Sequence, residues 1–199
     1  MSKIVHLKES YPPGDFAIWI VIYIELLTFG LMFLGYAFSR RADIELFNAS
    51  QSVLNQASGF VDTLILITSS YFVVKAVNTV KNARIENIQA SNESASRWLL
   101  AAILFGIMFL ANKLLEFSDI FSQGINLSTN TFFMFYLLLT MFHFMHVVLG
   151  IVILFNIRKR SKTGCYSEQN CRGIESGALY WHLVDLLWII LFPLVYILR

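Results

Sequence analysis

The stretch TFFMFYLLLTMFHFMHVVLGIVILFNI, residues 131–157, decides the fold. It contains no Asp, Glu, Lys or Arg and stops at Arg158-Lys159-Arg160. A helix rising about 1.5 Å per residue needs about 20 apolar residues to cross about 30 Å of hydrocarbon. In lipid every backbone N–H and C=O must be paired within the segment, so a continuous run of this length is a helix and not a barrel strand. Four further runs reach that length, at residues 16–38, 59–80, 97–117 and 177–198. The expected fold is all-α: one polytopic membrane domain over residues 1–199 with five transmembrane helices.

Composition agrees. The chain is 57% hydrophobic and 14% charged, with a mean hydropathy of +0.63, whereas soluble domains are about 25% charged. A net charge of +2 gives no reason to expect a nucleic-acid partner. The positive charges flank apolar runs, where they act as topology signals. Lys3, Lys8, Lys81, Arg84, Arg97, Arg158, Lys159, Arg160, Lys162 and Arg172 fall on one side, and only Arg40, Arg41 and Arg199 on the other. The positive-inside rule therefore puts the N-terminus in the cytoplasm and the C-terminus in the periplasm. Trp19, Trp98 and Trp181 are then expected near the cytoplasmic interface.

Between the runs, Pro12-Pro13-Gly14-Asp15 reads as a turn with Asp15 as an N-cap. The polar segment NARIENIQASNESASR, residues 82–97, is expected to be a mobile loop. Pro193 should disturb the last helix by freeing the carbonyl of Ile189. The first run is too long for a signal-peptide core, contains Glu25 and is followed by no A-x-A-like site. Cys165 and Cys171 share one loop and read as reduced cytoplasmic thiols, because C-x5-C is not a zinc spacing. No internal repeat supports an inverted-repeat transporter.

Ionisable groups inside the apolar runs are the candidates for function, since each is costly in hydrocarbon. Glu25 interrupts the first run, His143 and His146 lie in the fourth, and His182 and Asp185 in the fifth. His143/His146 and His182/Asp185 are each three residues apart, which predicts a shared helix face for each pair. Glu25, His146 and Asp185 lie about 13, 16 and 12 Å in from the cytoplasmic helix ends, so one polar cluster in that half of the bundle is expected. Three readings of it stand open: interhelical glue, a lipid-headgroup or proton-related site, and an iron or zinc site. His-x-x-His on one helix is not the Glu-x-x-His pattern of di-iron bundles.

Nearer the outer end, Lys113 and Glu116 form an i, i+3 pair, expected to be partly snorkelled. Lys75 should snorkel at the inner end, and Asp62 reads as a helix cap. Close helix contacts are expected at Gly30, Gly35, Gly106, Gly150 and at Thr68-Ser69-Ser70. There is no G-x-S-x-G nucleophile, phosphate-cradling glycine loop or C-x-x-C-H haem attachment.

The stretch TNTFFMFYLLLTMFHFMHVVLGI, residues 129–151, with its H-x-x-H followed by V-x-x-G, resembles subunit III of haem–copper terminal oxidases. So does YWHLVDLLWIILFPLVYIL, residues 180–198. IYIELLTFGLMF around Glu25 looks like the helix bearing that family's carbodiimide-reactive carboxylate, and TLILITSSYFVVKA, residues 63–76, like the helix after it. The likeness is to the short five-helix form. The LITSS, FFMFYLLLT and LFPLVY segments look most like the NorE-like branch associated with nitric oxide reductase.

This resemblance implies a non-catalytic accessory subunit of a cytochrome oxidase or nitric oxide reductase in a bacterial cytoplasmic membrane. It would bind no haem or metal itself. It would pack beside a large haem-bearing catalytic subunit, near the mouth of its proton-uptake path, and support its stability. Bound phospholipid is compatible with it, although the cleft that holds lipid in seven-helix members is built with two additional helices. Glu25 would be the family's intramembrane carboxylate, with His143, His146, His182 and Asp185 as its buried polar framework. The alternatives are a free-standing transporter or channel, and a metal-dependent membrane enzyme using the His/Asp/Glu cluster.

Overall fold

The computed structural model describes residues 13–83, 87–167 and 170–198. Those residues form six helices and no β-strand. They are α1 (Phe16–Ala42), α2 (Ile44–Gln51), α3 (Gln56–Lys81), α4 (Ile88–Ser122), α5 (Thr131–Lys162) and α6 (Arg172–Phe192). All but α2 are long and apolar enough to cross a membrane, and the chain is a multi-pass membrane protein.

Helices α3, α4, α5 and α6 close a four-helix ring in which each packs on the next and α6 returns to α3. Helix α1 leans on α5 and α6 from outside the ring and buries only Phe29 and Tyr36. The short α2 lies against α5. Without water there is little hydrophobic force between such helices, so they are held by close packing and polar bonds. Trp181 of α6 supplies the packing. It is fully buried, and a Cβ on Gly106 of α4 or Gly150 of α5 would come within 2.8 or 2.9 Å of its ring. Trp181 is thus a core residue and not the interfacial anchor expected from its position. Gly30, by contrast, has open space beside it.

The helix ends are set by side chains. Asp43, Asn55 and Asn130 accept hydrogen bonds from the backbone N–H groups of Leu46, Ser58 and Phe133, capping α2, α3 and α5. Asp15 occupies the N-cap position of α1 without a side-chain cap bond. Instead Gly14 takes φ +81°, a left-handed conformation that suits glycine. This turn lets the Gly14 and Asp15 N–H groups donate to Glu175 Oε2 and Ser176 Oγ of α6, at 3.1 and 3.0 Å. Glu175 also pairs with Lys81 of α3 at 2.6 Å. Pro12 lies outside the described residues.

Residues 88–97, expected to be loop, are helical. Asn92 is fully buried there, donates to the Tyr166 carbonyl at 2.7 Å, and its own carbonyl accepts from Ser161 Oγ at 2.7 Å. Arg84 and its two successors lie outside the described residues. At its other end α6 passes at Pro193 into a π turn, Pro193–Ile197. The carbonyls of Val195 and Tyr196 are met by Gln51 Nε2 at 2.8 Å and Gln56 Nε2 at 2.7 Å. Two carbonyls of the irregular turn are therefore satisfied inside the protein.

Candidate functional site

The ionisable groups inside the spans fall into separate sites. At the first, Glu25 of α1 and His146 of α5 meet with Oε2 and Nε2 3.0 Å apart. His146 Nδ1 lies 2.8 Å from the carbonyl of Phe142, one turn earlier. A carbonyl can only accept, so Nδ1 carries a hydrogen and donates it. Nε2 then faces the carboxyl oxygen either as the second N–H of an imidazolium or as the acceptor of a carboxylic acid proton. A hydrogen bond between the two side chains requires a proton on one of the facing atoms. Phe29 and Phe142 pack on the imidazole, with ring centroids 5.4 and 4.6 Å from it.

His182 and Asp185 of α6 form the second site. Ser70 Oγ of α3 is 2.6 Å from His182 Nδ1, and Asp185 Oδ2 is 3.4 Å from the same atom. His143 stands apart from both. It is 0% exposed, wedged between Phe109 and Trp188, and among the described residues neither ring nitrogen has a hydrogen-bond partner. The expected single cluster is thus divided. A three-residue step turns about 300° around a helix, so its two side chains sit about 60° apart. That angle sends His146 towards α1 and His143 into the α4–α6 core.

The most extensive polar site lies towards the opposite helix ends. Lys113 of α4 is 1% exposed; it has not snorkelled as expected. Its ammonium donates to Glu116 Oε2 at 2.6 Å and to Tyr196 Oη at 3.0 Å, and lies 3.0 Å from Asp62 Oδ2 of α3. It also sits over the rings of Trp188 and Tyr196, 4.5 and 5.1 Å from their centroids. Tyr136 of α5 and Tyr196 donate to Glu116 Oε1 at 2.7 and 2.5 Å. The Asn112 side-chain amide lies 2.6 Å from Asp62 Oδ1 and 3.0 Å from Ser58 Oγ. Asp62 is therefore a core residue and not a cap; Asn55 caps its helix. Sequence reasoning found the Lys113–Glu116 pair but missed Asp62, Tyr136 and Tyr196 as its partners. Depth would have found two of them. Asp62, Glu116 and Tyr136 each lie about two turns or less from the ends of α3, α4 and α5 that face this side.

Among the described residues no three His, Cys, Asp or Glu side chains come together in a way that could hold a metal ion.

A family model described as cytochrome c oxidase subunit III matches residues 16–199. The chain is 35% identical over 139 residues to the cytochrome c oxidase subunit 3 of Synechocystis sp., covering 69% of this chain and 55% of that protein. It is 32% identical over 139 residues to the subunit 3 of Thermostichus vulcanus, covering 69% of this chain and 64% of that protein. To the cytochrome bo(3) ubiquinol oxidase subunit 3 of Buchnera aphidicola it is 26% identical over 195 residues, covering 96% of this chain and 90% of that protein. The chain thus spans between about half and two thirds of the first two relatives and nearly all of the third. With the match running from the start of α1 to the last residue, the chain belongs to the cytochrome c oxidase subunit III family.

Proposed function

We propose that this chain is a non-catalytic accessory subunit of a respiratory haem–copper complex in a bacterial cytoplasmic membrane. It would sit beside a large haem-bearing catalytic subunit and support its stability and proton supply. The observation that carries the reading is the family match over residues 16–199. The almost unpartnered outer face of α1, with Ile20, Ile24, Leu27, Leu31 and Leu34 exposed, agrees with it, since such a face is free for another membrane helix or for lipid.

Within this reading Glu25 and His146 form the proton-related site. Their carboxyl and imidazole come from different helices and lie 3.0 Å apart, an arrangement that suits a group taking up and passing on protons near an uptake path. Phospholipid fits the apolar outer surfaces. The electron donor, and whether the acceptor is dioxygen or nitric oxide, belong to the catalytic partner.

The test is to isolate the tagged chain from gently solubilised native membranes and record the visible spectrum of what accompanies it. Haem bands with a stoichiometric large subunit are expected, and the haem type with O2 or NO turnover names the complex. A colourless, partner-free protein would overturn the reading in favour of a transporter, or of a metal enzyme if iron or zinc is stoichiometric. For the proton-related site, Glu25→Gln in the assembled complex should change turnover, its pH dependence or its decay during catalysis. If all three stay as in the unmodified complex, Glu25 has no part in proton supply.

A further inference from the structure

The buried charges around Lys113 do not balance. Asp62, Lys113 and Glu116 are 0%, 1% and 9% exposed, and together they bring two carboxyl groups to one ammonium. Three donors converge on Glu116: the Lys113 ammonium on Oε2, and the Tyr136 and Tyr196 hydroxyls on Oε1. A carboxyl group receiving three such bonds is in its ionised, acceptor-only form. Glu116 therefore neutralises Lys113. Asp62, if ionised as well, would leave a net negative charge away from water.

Among the described residues no second Lys or Arg is paired with the site; the other titratable group close enough to interact with Lys113 is His143 of α5, whose ring nitrogens make no hydrogen bond among those residues. Helix α4 contributes Lys113 and Glu116, α5 contributes Tyr136, the π turn contributes Tyr196, and α3 contributes Asp62 itself. A buried charge without a partner is neutralised by taking up a proton. The geometry provides a place for that proton. Asp62 Oδ1 lies 2.6 Å from the Asn112 side-chain amide, within hydrogen-bond reach whichever of the two carries the hydrogen. The oxygen and nitrogen of an amide have the same shape. Turned over, the Asn112 amide presents its oxygen to Asp62 Oδ1 at 2.6 Å and to Ser58 Oγ at 3.0 Å, both of which can then donate to it. Asp62 Oδ2 lies 3.0 Å from the Lys113 ammonium, an ion-pair contact without hydrogen-bond geometry, and has no hydrogen-bond partner among the described residues.

We propose that Asp62 is a buried proton-binding site, holding one exchangeable proton between its Oδ1 and the Asn112 amide oxygen at neutral pH, beside the Lys113–Glu116 ion pair. Proton binding here breaks and forms only O–H bonds. The ligand is the proton itself. The site is separate from Glu25–His146 and stands whatever complex the chain joins.

The test is infrared spectroscopy of the full chain in phospholipid nanodiscs at neutral pH, in H2O and D2O, with and without 13C-aspartate. One carboxylic acid C=O band is expected that shifts with both D2O and 13C-aspartate labelling. It should survive Asp185→Asn and disappear in Asp62→Asn. It should also disappear in Glu116→Gln, because Lys113 then has only Asp62 to neutralise it and Asp62 ionises. Absence of any aspartic acid band from the unmodified chain would overturn the proposal without recourse to a variant. So would a band that persists in Asp62→Asn, is lost in Asp185→Asn, or stays unchanged in Glu116→Gln. Should Asp62→Asn fail to fold, the unmodified, Asp185→Asn and Glu116→Gln spectra decide the matter.

Discussion

Lys113 and His143 are both buried in the same bundle, yet opposite outcomes are expected when each is made apolar. Lys113 offsets the charge of Glu116 and contacts Asp62, Tyr196 and Trp188. Lys113→Met strands Glu116 as a buried carboxylate, and removing one partner of a buried pair costs about 3–5 kcal/mol. A clearly lower unfolding temperature of the purified chain, or failure to recover folded protein, is the expected result. His143 has no hydrogen-bond partner to lose among the described residues. Replacing an unsatisfied polar group by an apolar one of similar size is neutral or stabilising, so His143→Leu should leave the unfolding temperature unchanged or raise it. A large loss in that variant would show that His143 has a bond absent from this structure. Reading charge against hydropathy makes all of these residues visible as anomalies in the sequence. Their partners are another matter. Pairing depends on helix rotation, and about 60° decides whether a histidine meets a carboxylate or an aromatic wall.

At the scale of the elements, the five spans are legible because hydrocarbon thickness imposes a minimum apolar length. Their ends are not, because nothing in the bilayer stops a helix from continuing into water. Helix α4 has 35 residues and α5 has 32, about 50 Å each, so both project well past the hydrocarbon. The polar first turns of α4 look like loop by composition, and become helix by docking on residues 161–166 through Asn92. Asn92→Ala leaves the buried Tyr166 carbonyl without its side-chain donor, a loss of about 1–3 kcal/mol. Faster amide hydrogen exchange in residues 88–97 than in the middle of α4 is the expected readout. The Trp181 slot is equally specific. Gly106→Ala or Gly150→Ala forces a methyl group against the indole at 2.8 or 2.9 Å, and overpacking of this kind costs about 1–3 kcal/mol. Gly30→Ala, beside open space, serves as the silent control, and equal losses at all three glycines would refute the role given to Trp181.

For the whole molecule, the helix ends sort charge. Lys81, Arg97, Arg158, Lys159, Arg160, Lys162 and Arg172 all lie at or near the end where α1 and α6 begin, whereas Arg40 and Arg41 close α1 at the other. Positive loops are retained in the cytoplasm, so residues 163–171 should be cytoplasmic and residues 123–130 periplasmic. The native thiols test this without added probes. Cys165 is exposed. Cys171 is half-buried, and its thiol is pushed above its ordinary range by burial and by the neighbouring Glu175 carboxylate. The thiolate is the reactive form, so at neutral pH a membrane-impermeant maleimide should modify Cys165 well before Cys171. Raising the pH through the titration of Cys171 should narrow that gap. In sealed vesicles Cys165 should react only when the cytoplasmic face is outward, and a cysteine placed at Asn126 in a Cys165→Ser background only when that face is inward. The reverse pattern would invert the topology and place Glu25 and His146 nearer the periplasmic surface, where they could not serve proton uptake from the cytoplasm. Orientation and the role proposed for Glu25 therefore stand or fall on one labelling experiment, because both rest on which end of the bundle the positive charges mark.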